Sequence, residues 1–446
     1  MNRSFGLFAA GSLMLAVSGV VGAAQQPPPY RLTLRDAIQK GLQANLGVLV
    51  ARTRVREAEG ARMRKFSSAL LPRVHAQGLT NLQNRNLSAF GITQPGAPEV
   101  VGPLSNYDFR VGADQNILDL QSYRAYRASE HAVEASKMDY QDARDLIIRS
   151  IAGLYLDAQS ASARVDAAQS RLTVSETLYQ LAQAKHDAGT ATGVDVLRAQ
   201  VERANDRQAL LVAQNGYKQA LLVLARNLGM GPGTPLELAE PLHFLPLQPP
   251  PVASLVPEAL LARADYLSLA SQRRELAEQQ RASHARYFPK VSINGNYGGL
   301  GRSLGSVREA GIIQGQVDLT VFDRDRNGEA QELASRIQRI DDQMADLRRG
   351  IEQEVRAALL NLESASEQVA VAQEGQDLSQ RELQLARERF RSGVTNNIEV
   401  VTAQDELARA QENYILAVSS HIDAKFALAR AAGGTERSLD RYLGKP

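Results

Sequence analysis

The chain has 446 residues, enough for two or three ordinary domains or for one elongated architecture. Its net charge of +2, with 22% charged residues, sets up no strong field toward nucleic acid. It has no cysteine, which removes disulfides, thiolate metal sites, cysteine catalysis and lipid attachment through an N-terminal cysteine.

The first segment reads as a secretory signal over residues 1–24. Arg3 supplies the positive start, Phe5 to Val21 form an apolar run, and Val21-Gly22-Ala23 and Gly22-Ala23-Ala24 are small-residue cleavage patterns. A retained membrane anchor is the alternative. It is disfavoured because the run is short, contains glycine and is closely followed by Gln25-Gln26-Pro27-Pro28-Pro29. No other apolar segment approaches the ~20 residues that a spanning helix needs. The mature chain is therefore expected outside the inner membrane.

The remainder divides into a first repeat over 25–230, a Pro-rich linker over 231–255, a second repeat over 256–433 and a tail over 434–446. HDAGTATGVDVLRAQVERA (186–204) lies over FRSGVTNNIEVVTAQDELA (390–408), with Gly189 on Gly393, Asp195 on Glu399 and Val196 on Val400. QNILD (115–119) lies over LTVFD (319–323), and LLPRV (70–74) matches YFPKV (287–291). The stretch from that Pro to that Asp is longer in the first copy.

Each copy predicts a helix, a hairpin, a very long helix, a turn and a further helix. The long helices are expected near 123–188 and 327–392, and roughly 65 residues span about 100 Å. The shorter helices are expected near 33–70 and 195–229, then near 256–287 and 396–432. Each short pair sums to about one long helix, so economical packing stacks two short helices beside one long helix. Ile351, Val355, Ala358, Leu362, Ala365, Val369 and Ala372 step by four and three. Ile147, Ile151, Leu154, Ala158, Ala161, Val165 and Ala168 do much the same, which is a coiled-coil seam.

Between the helices the period becomes two. Tyr107, Phe109, Val111 and Ala113 alternate with polar or small residues, as do Ile313, Gly315, Val317, Leu319 and Val321. These predict hairpins at about 72–118 and 289–322, with strands about ten residues long, the length of a tilted strand crossing a bilayer. A soluble sheet is the competing reading, but no apolar helix face is left over to cover it. The absence of Trp makes an interfacial aromatic girdle sparse. Four strands cannot close into a barrel, and open edges in lipid cost several kcal/mol per unpaired group. Three chains give twelve strands and a water-filled lumen, whereas two give eight, which side chains fill.

This ordered set of landmarks resembles the TolC-like outer-membrane efflux duct family, over about Leu32 to Gly433. The carriers are the two-fold repeat, the LP/FP strand entries, the FD junctions and the paired turns GTATGVDVLRAQ and SGVTNNIEVVTAQ. The resemblance implies an α+β membrane protein. Its trimer has a twelve-stranded outer-membrane β-barrel, four strands per chain, continuous with a long periplasmic α-helical barrel. It implies a passive duct of a tripartite efflux or type I secretion system, not an enzyme, with no cofactor. Its partners would be two further copies of the chain, a periplasmic adaptor, an inner-membrane pump of RND, ABC or MFS type, and outer-membrane lipid, with no nucleic acid.

By the same resemblance, the turns at 188–195 and 392–399 are periplasmic tips. Gly189, Thr190, Gly393 and Val394 would meet the adaptor, and Asp195, Glu399 and Thr402 would stand at the entrance. Thr402 occupies a position where some members have a second acid, and Thr395 one where some have an Arg pairing the first-repeat Asp. Three copies of Glu399 around one axis would attract cations, with Asp195 at an interhelical contact beside it. The competing reading for both is an acid favoured by a helix N-terminus.

Other chemistries fare poorly. The six His show no HxxxH or HExxH spacing, and GxxxxGK[ST] is absent. A soluble periplasmic coiled-coil scaffold or adaptor explains the helices but not the strands at matching points. Asp323, Asp325, Asn327 and Gly328 copy half a calcium loop, but the twelfth position is Ala334 where a bidentate Glu is needed. The better reading is a strand-to-helix junction, with Asp323 ending the strand, Asp325 or Asn327 capping the helix, and a counterpart at Asp119. Added calcium should therefore leave the melting temperature unchanged. A calcium-dependent rise that Asp325→Ala abolishes contradicts this.

Overall fold

The computed structural model describes residues 30–437, apart from 88, 90, 92–95, 97, 232, 240–242, 393 and 396. The expected signal segment, Gly393 and the end of the tail lie outside the described residues.

The chain runs β1 (Tyr30–Leu32), α1 (Leu34–Ala44), α2 (Leu46–Leu70), β2 (Arg73–Asn86), β3 (Val100–Leu118), α3 (Leu120–Asp187) and α4 (Gly193–Asn227). It continues with β4 (Leu236–Leu238), α5 (Val252–Ala262), α6 (Ala264–His284), β5 (Lys290–Gly301), β6 (Arg308–Asp318), α7 (Asp325–Arg391) and α8 (Asn397–Ala431). Helices α3 and α7 have 68 and 67 residues, so each is about 100 Å long. Along α3 lie α1, α2 and α4; along α7 lie α5, α6 and α8; α3 also meets α6 and α8.

The seam on α7 is buried at Ile351, Val355, Ala358, Leu362, Ala365 and Val369, against α5, α8 and their neighbours. Each large aliphatic side chain so covered contributes about 1.5–3 kcal/mol. On α3, Ile151 and Ala158 are buried, while Ile147, Leu154, Ala161, Val165 and Ala168 are half-buried. There the deepest positions include Ile148, Ala152, Tyr155 and Leu156, because α3 is flanked on more sides than α7.

Both expected leading helices are broken. Asn45 is extended (φ −66°, ψ 129°), and its side-chain oxygen accepts from the N–H of Gly47, so it starts α2 afresh. Arg263 is extended (φ −68°, ψ 121°), with its buried guanidinium held by Asp265 and Glu354. One short sheet was not expected. β1 pairs in parallel with β4, Leu32 opposite Leu238, and the Tyr155 hydroxyl donates to the Leu32 carbonyl at 3.1 Å.

The main sheet is antiparallel in the order β2-β3-β5-β6. The register gathers Val74, Ala76, Phe109, Val111, Tyr297, Ile293, Ile313 and Val317 on one face. Of these, Val74, Phe109, Val111, Ile293, Tyr297, Ile313 and Val317 are exposed. The other face carries Gln77, Asn81, Asn106, Asp108, Arg110, Asp114, Asn294, Asn296, Gln314 and Gln316. The apolar face is thus bare, the reverse of a soluble sheet.

The second hairpin was expected to run to 322, but β6 ends at Asp318. Its pairing stops where Lys290, the first residue of β5, faces Asp318, and Pro289 before it has no N–H to donate. Residues 319–323 therefore have no strand beside them within this chain's sheet.

Close strand approach explains one glycine. A Cβ on Gly298 would drive into the Phe109 carbonyl and lie 2.7 Å from Arg110 Cα, whereas one on Gly315 meets nothing within 4 Å. Gly298→Val should therefore abolish the protease-protected form of the chain in the membrane fraction, and Gly315→Val should leave it near wild type. Equal protection of the two variants contradicts this register.

Candidate functional site

Three places on the fold hold groups that can do something: the polar sheet face, the strand-to-helix junctions and the helical turns at the far end.

On the polar face Arg110 is held by Asp108 at 2.6 Å and by Asn296 at 3.0 Å, across β3 and β5. Arg73 and His75 of β2 both approach Asp114, at 3.2 and 3.4 Å. His75 lies over the bare backbone of Gly112. These side chains make a mixed-charge surface behind the apolar one.

At the first junction Asp119 caps α3. It accepts from the backbone N–H of Ser122 at 2.9 Å and from its hydroxyl at 2.8 Å. At the second, the helix begins at Asp325 itself, so neither Asp325 nor Asn327 stands before it to cap it. Asp323 does that work, accepting from the N–H of Asp325 at 3.0 Å. Arg326 is buried, with its guanidinium 3.5 Å from the Tyr287 ring centroid and its Nε 3.5 Å from Asp323. Lys290 of β5 reaches back to Asp119 at 3.5 Å and so ties the two junctions together. Among the described residues, no group of three His, Cys, Asp or Glu could hold a metal ion.

At the first turn Gly189 takes φ +72°, which a side chain disfavours, and its N–H donates to the His186 carbonyl. The N–H of Thr190 donates to Lys185 at 2.8 Å. Thr192 then caps α4 in a reciprocal box with Asp195. Asp195 accepts from the Thr192 hydroxyl at 2.7 Å and the Thr192 N–H at 3.0 Å. Those bonds hold its carboxyl below the usual range. Its partners are thus in its own turn rather than on a neighbouring helix. A depressed carboxyl of this kind stabilises the turn above its ordinary titration range and loses that contribution as pH falls through the lowered value.

At the second turn Val394 is exposed and its N–H donates to Arg389 at 3.0 Å. Glu399 pairs with Arg389 at 3.3 Å and accepts from the Thr395 hydroxyl. Thr402 donates to the Ile398 carbonyl at 3.0 Å, one helical turn back. Behind the turn, Leu178, Leu383, Ala386, Phe390, Val400 and Ala403 form an apolar plug between α3, α7 and α8. Asp195, Glu399 and Thr402 therefore lie on two turns at one end of the helices, each engaged close by in sequence.

One group of side chains was not singled out from sequence. Arg171 of α3 bridges Asp206 of α4 at 3.1 Å and Asp405 of α8 at 3.0 Å, and its carbonyl accepts from Gln404 at 3.0 Å. Arg164 pairs with Glu412 on the same flank at 2.9 Å. Asp206 and Asp405 are single acids on helix faces otherwise rich in charge, so nothing local marks them.

A bare apolar strand face with a polar reverse, joined to helices of about 100 Å, defines a membrane-embedded channel with a long helical extension. Among the described residues no helix is long and apolar enough to cross a membrane. The family model described as outer membrane efflux protein matches residues 37–230 and 255–434, and the chain belongs to that family. It is an outer-membrane efflux channel protein with its helical part in the periplasm. The probable efflux pump outer membrane protein TtgC of Pseudomonas putida is 26% identical over 419 residues, covering 90% of this chain and 83% of the relative. The pyoverdine export outer membrane protein OpmQ of the same organism is 26% identical over 396 residues, covering 86% and 82%. The CmeC outer membrane channel of Campylobacter jejuni shares the fold with a TM-score of 0.76 at 17% identity, over 92% of this chain and 89% of that one.

Removing Arg171 strands a buried carboxylate at Asp206. Arg171→Met should cost about 3 kcal/mol, the lower end of what breaking a buried ion pair costs, because the guanidinium keeps some solvent. Adding Asp206→Leu should restore most of that loss in denaturant unfolding followed by helical signal. Additive losses in the double variant contradict the pairing.

Proposed function

We propose that three copies of this chain close a twelve-stranded barrel in the outer membrane. Their long helices extend it into a duct that passively carries substrates delivered by an inner-membrane pump through a periplasmic adaptor. The observation that carries this is the four-stranded sheet, apolar on one exposed face and polar on the other, with β2 and β6 each left with one open edge. A repeated order of elements supports it, since helix, helix, strand, strand, long helix, helix occurs twice. Family membership supports the efflux role, and relatives whose names cite efflux pumps and pyoverdine export fit an exported cargo without fixing which one.

In this reading Gly189, Thr190, Gly393 and Val394 sit at the tips that meet the adaptor, and Glu399 and Thr402 face the entrance. The ion pair to Arg389 offsets part of the charge that three copies of Glu399 would present, and the charge of Asp195 is directed into its own cap. Glu399→Ala should lower the preference for cations in planar bilayers, Arg389→Ala should raise it, and Asp195→Ala should leave it unchanged. Unaltered selectivity in both of the first two variants would sink the entrance assignment. The soluble scaffold reading is tested by fractionation. Outer-membrane retention supports the duct, and release of a monomer by osmotic shock overturns it.

A further inference from the structure

Residues 243–251 cross α8 without regular secondary structure, and Pro246, Pro249, Pro250 and Pro251 among them have no N–H to donate. Two side chains seat this segment. Phe244 packs with Val369, Ala417 and Val418, and Leu247 packs on the cluster of Ile351, Val355 and Leu428. Beneath it lie His421 and Lys425, one turn apart on α8.

Both are unusual groups to cover. His421 is fully buried and neither ring nitrogen has a hydrogen-bond partner. Its only ring neighbour among the described residues is Phe244, with centroids 4.7 Å apart. Lys425 is also buried. Its ammonium donates to the Leu245 carbonyl, and among the described residues no carboxylate pairs with it. An imidazole without partners and an ammonium without a counter-ion are each costly to keep from water. Both would regain water if the segment lifted.

We propose that residues 243–251 are a strap that lifts off α8 on acidification and uncovers the apolar patch of Val369, Ala417 and Val418.

The charged surroundings leave His421 as the trigger. On α8 itself, Lys425 is the charge that acts on it. On α7, Val369 and Ala372 belong to the cluster on which Phe244 packs, while Glu367 lines the neighbouring open groove. From α3, Arg149 is paired with Asp423 at 3.8 Å. On the strap, His243 is exposed. Burial, with help from Lys425, holds the His421 imidazole down at about 4 rather than 6.5. Burial alone lowers Lys425 from 10.5 to about 8.

With the strap down both groups favour their neutral forms, so protonation opposes docking. For Lys425 that opposition is complete below about pH 8, and it stays constant through neutral and acid pH. For His421 it begins below 6.5 and is complete near 4. Acidification through that window shifts the strap toward release by on the order of a hundredfold.

The chain has no tryptophan, so Phe244→Trp in the full-length protein in detergent is a single reporter. Leu247→Trp, which leaves the Phe244–His421 contact intact, is the second. Between pH 7 and 4.5 the emission of each should move to the red, and acrylamide quenching should rise severalfold while far-UV helicity stays constant. In a His421→Leu background both readouts should stay flat. Unchanged quenching in the parent reporters, or the same rise with His421→Leu, overturns the strap. The result is independent of whether the chain forms a duct, because fractionation and conductance do not enter it.

Discussion

The backbone edges of β2 and β6 are the constraint on which the rest of the molecule depends. The face that the register collects from Val74, Phe109, Val111, Tyr297 and Ile313 is apolar and bare, so its natural surroundings are hydrocarbon. There each unpaired N–H or C=O costs several kcal/mol, and four strands leave two rows of them. Only other strands can satisfy those rows without exposing new edges. In the proposed barrel the polar reverse would become the lining, and on that face Arg110 is held among Asp108 and Asn296. Two glycines fit the same scheme. Gly298 allows β3 and β5 to come together, and Gly112 makes room for His75.

The helices inherit that geometry through two short hinges. Asp119 stops a strand and starts a 68-residue helix in one residue. Asp323 does so less abruptly, after an unpaired stretch from 319, with Arg326 clamped between it and Tyr287. Farther along, charge is used differently at successive levels. Arg164 and Arg171 tie α3 to acids on α4 and α8. Nearer the turns, Asp195 and Glu399 are bound within their own hairpins. Between the turns lie the apolar plug around Phe390 and the Lys185 ammonium, 4.0 Å from the Phe390 ring centroid.

Much of this was legible in the chain itself. A seven-residue seam is visible because burial on a long helix repeats with a fixed period, and α7 follows it from Ile351 to Val369. Strand positions were legible because one face must be apolar, which period two exposes directly. What failed to show was anything fixed by distant partners. The break at Arg263 depends on Glu354, ninety-one residues away, and the end of β6 depends on where β5 begins. The parallel pair β1–β4 has three residues per strand, too few for any period. Asp195 looked like an interhelical acid only by position. Thr192, three residues earlier, is the local signal that marks it as a capping box. The bridge at Arg171 joins three helices and has no local signal at all.

The central claim is that the open edges of this sheet are satisfied by further copies of the same chain, and that three copies suffice. Native mass spectrometry of the species released from outer membranes in mild detergent tests it most directly. The account predicts a complex of three chains that persists without any partner protein and dissociates only when the sheet is unfolded by heat. A folded single chain, or a stable assembly of two, would contradict it.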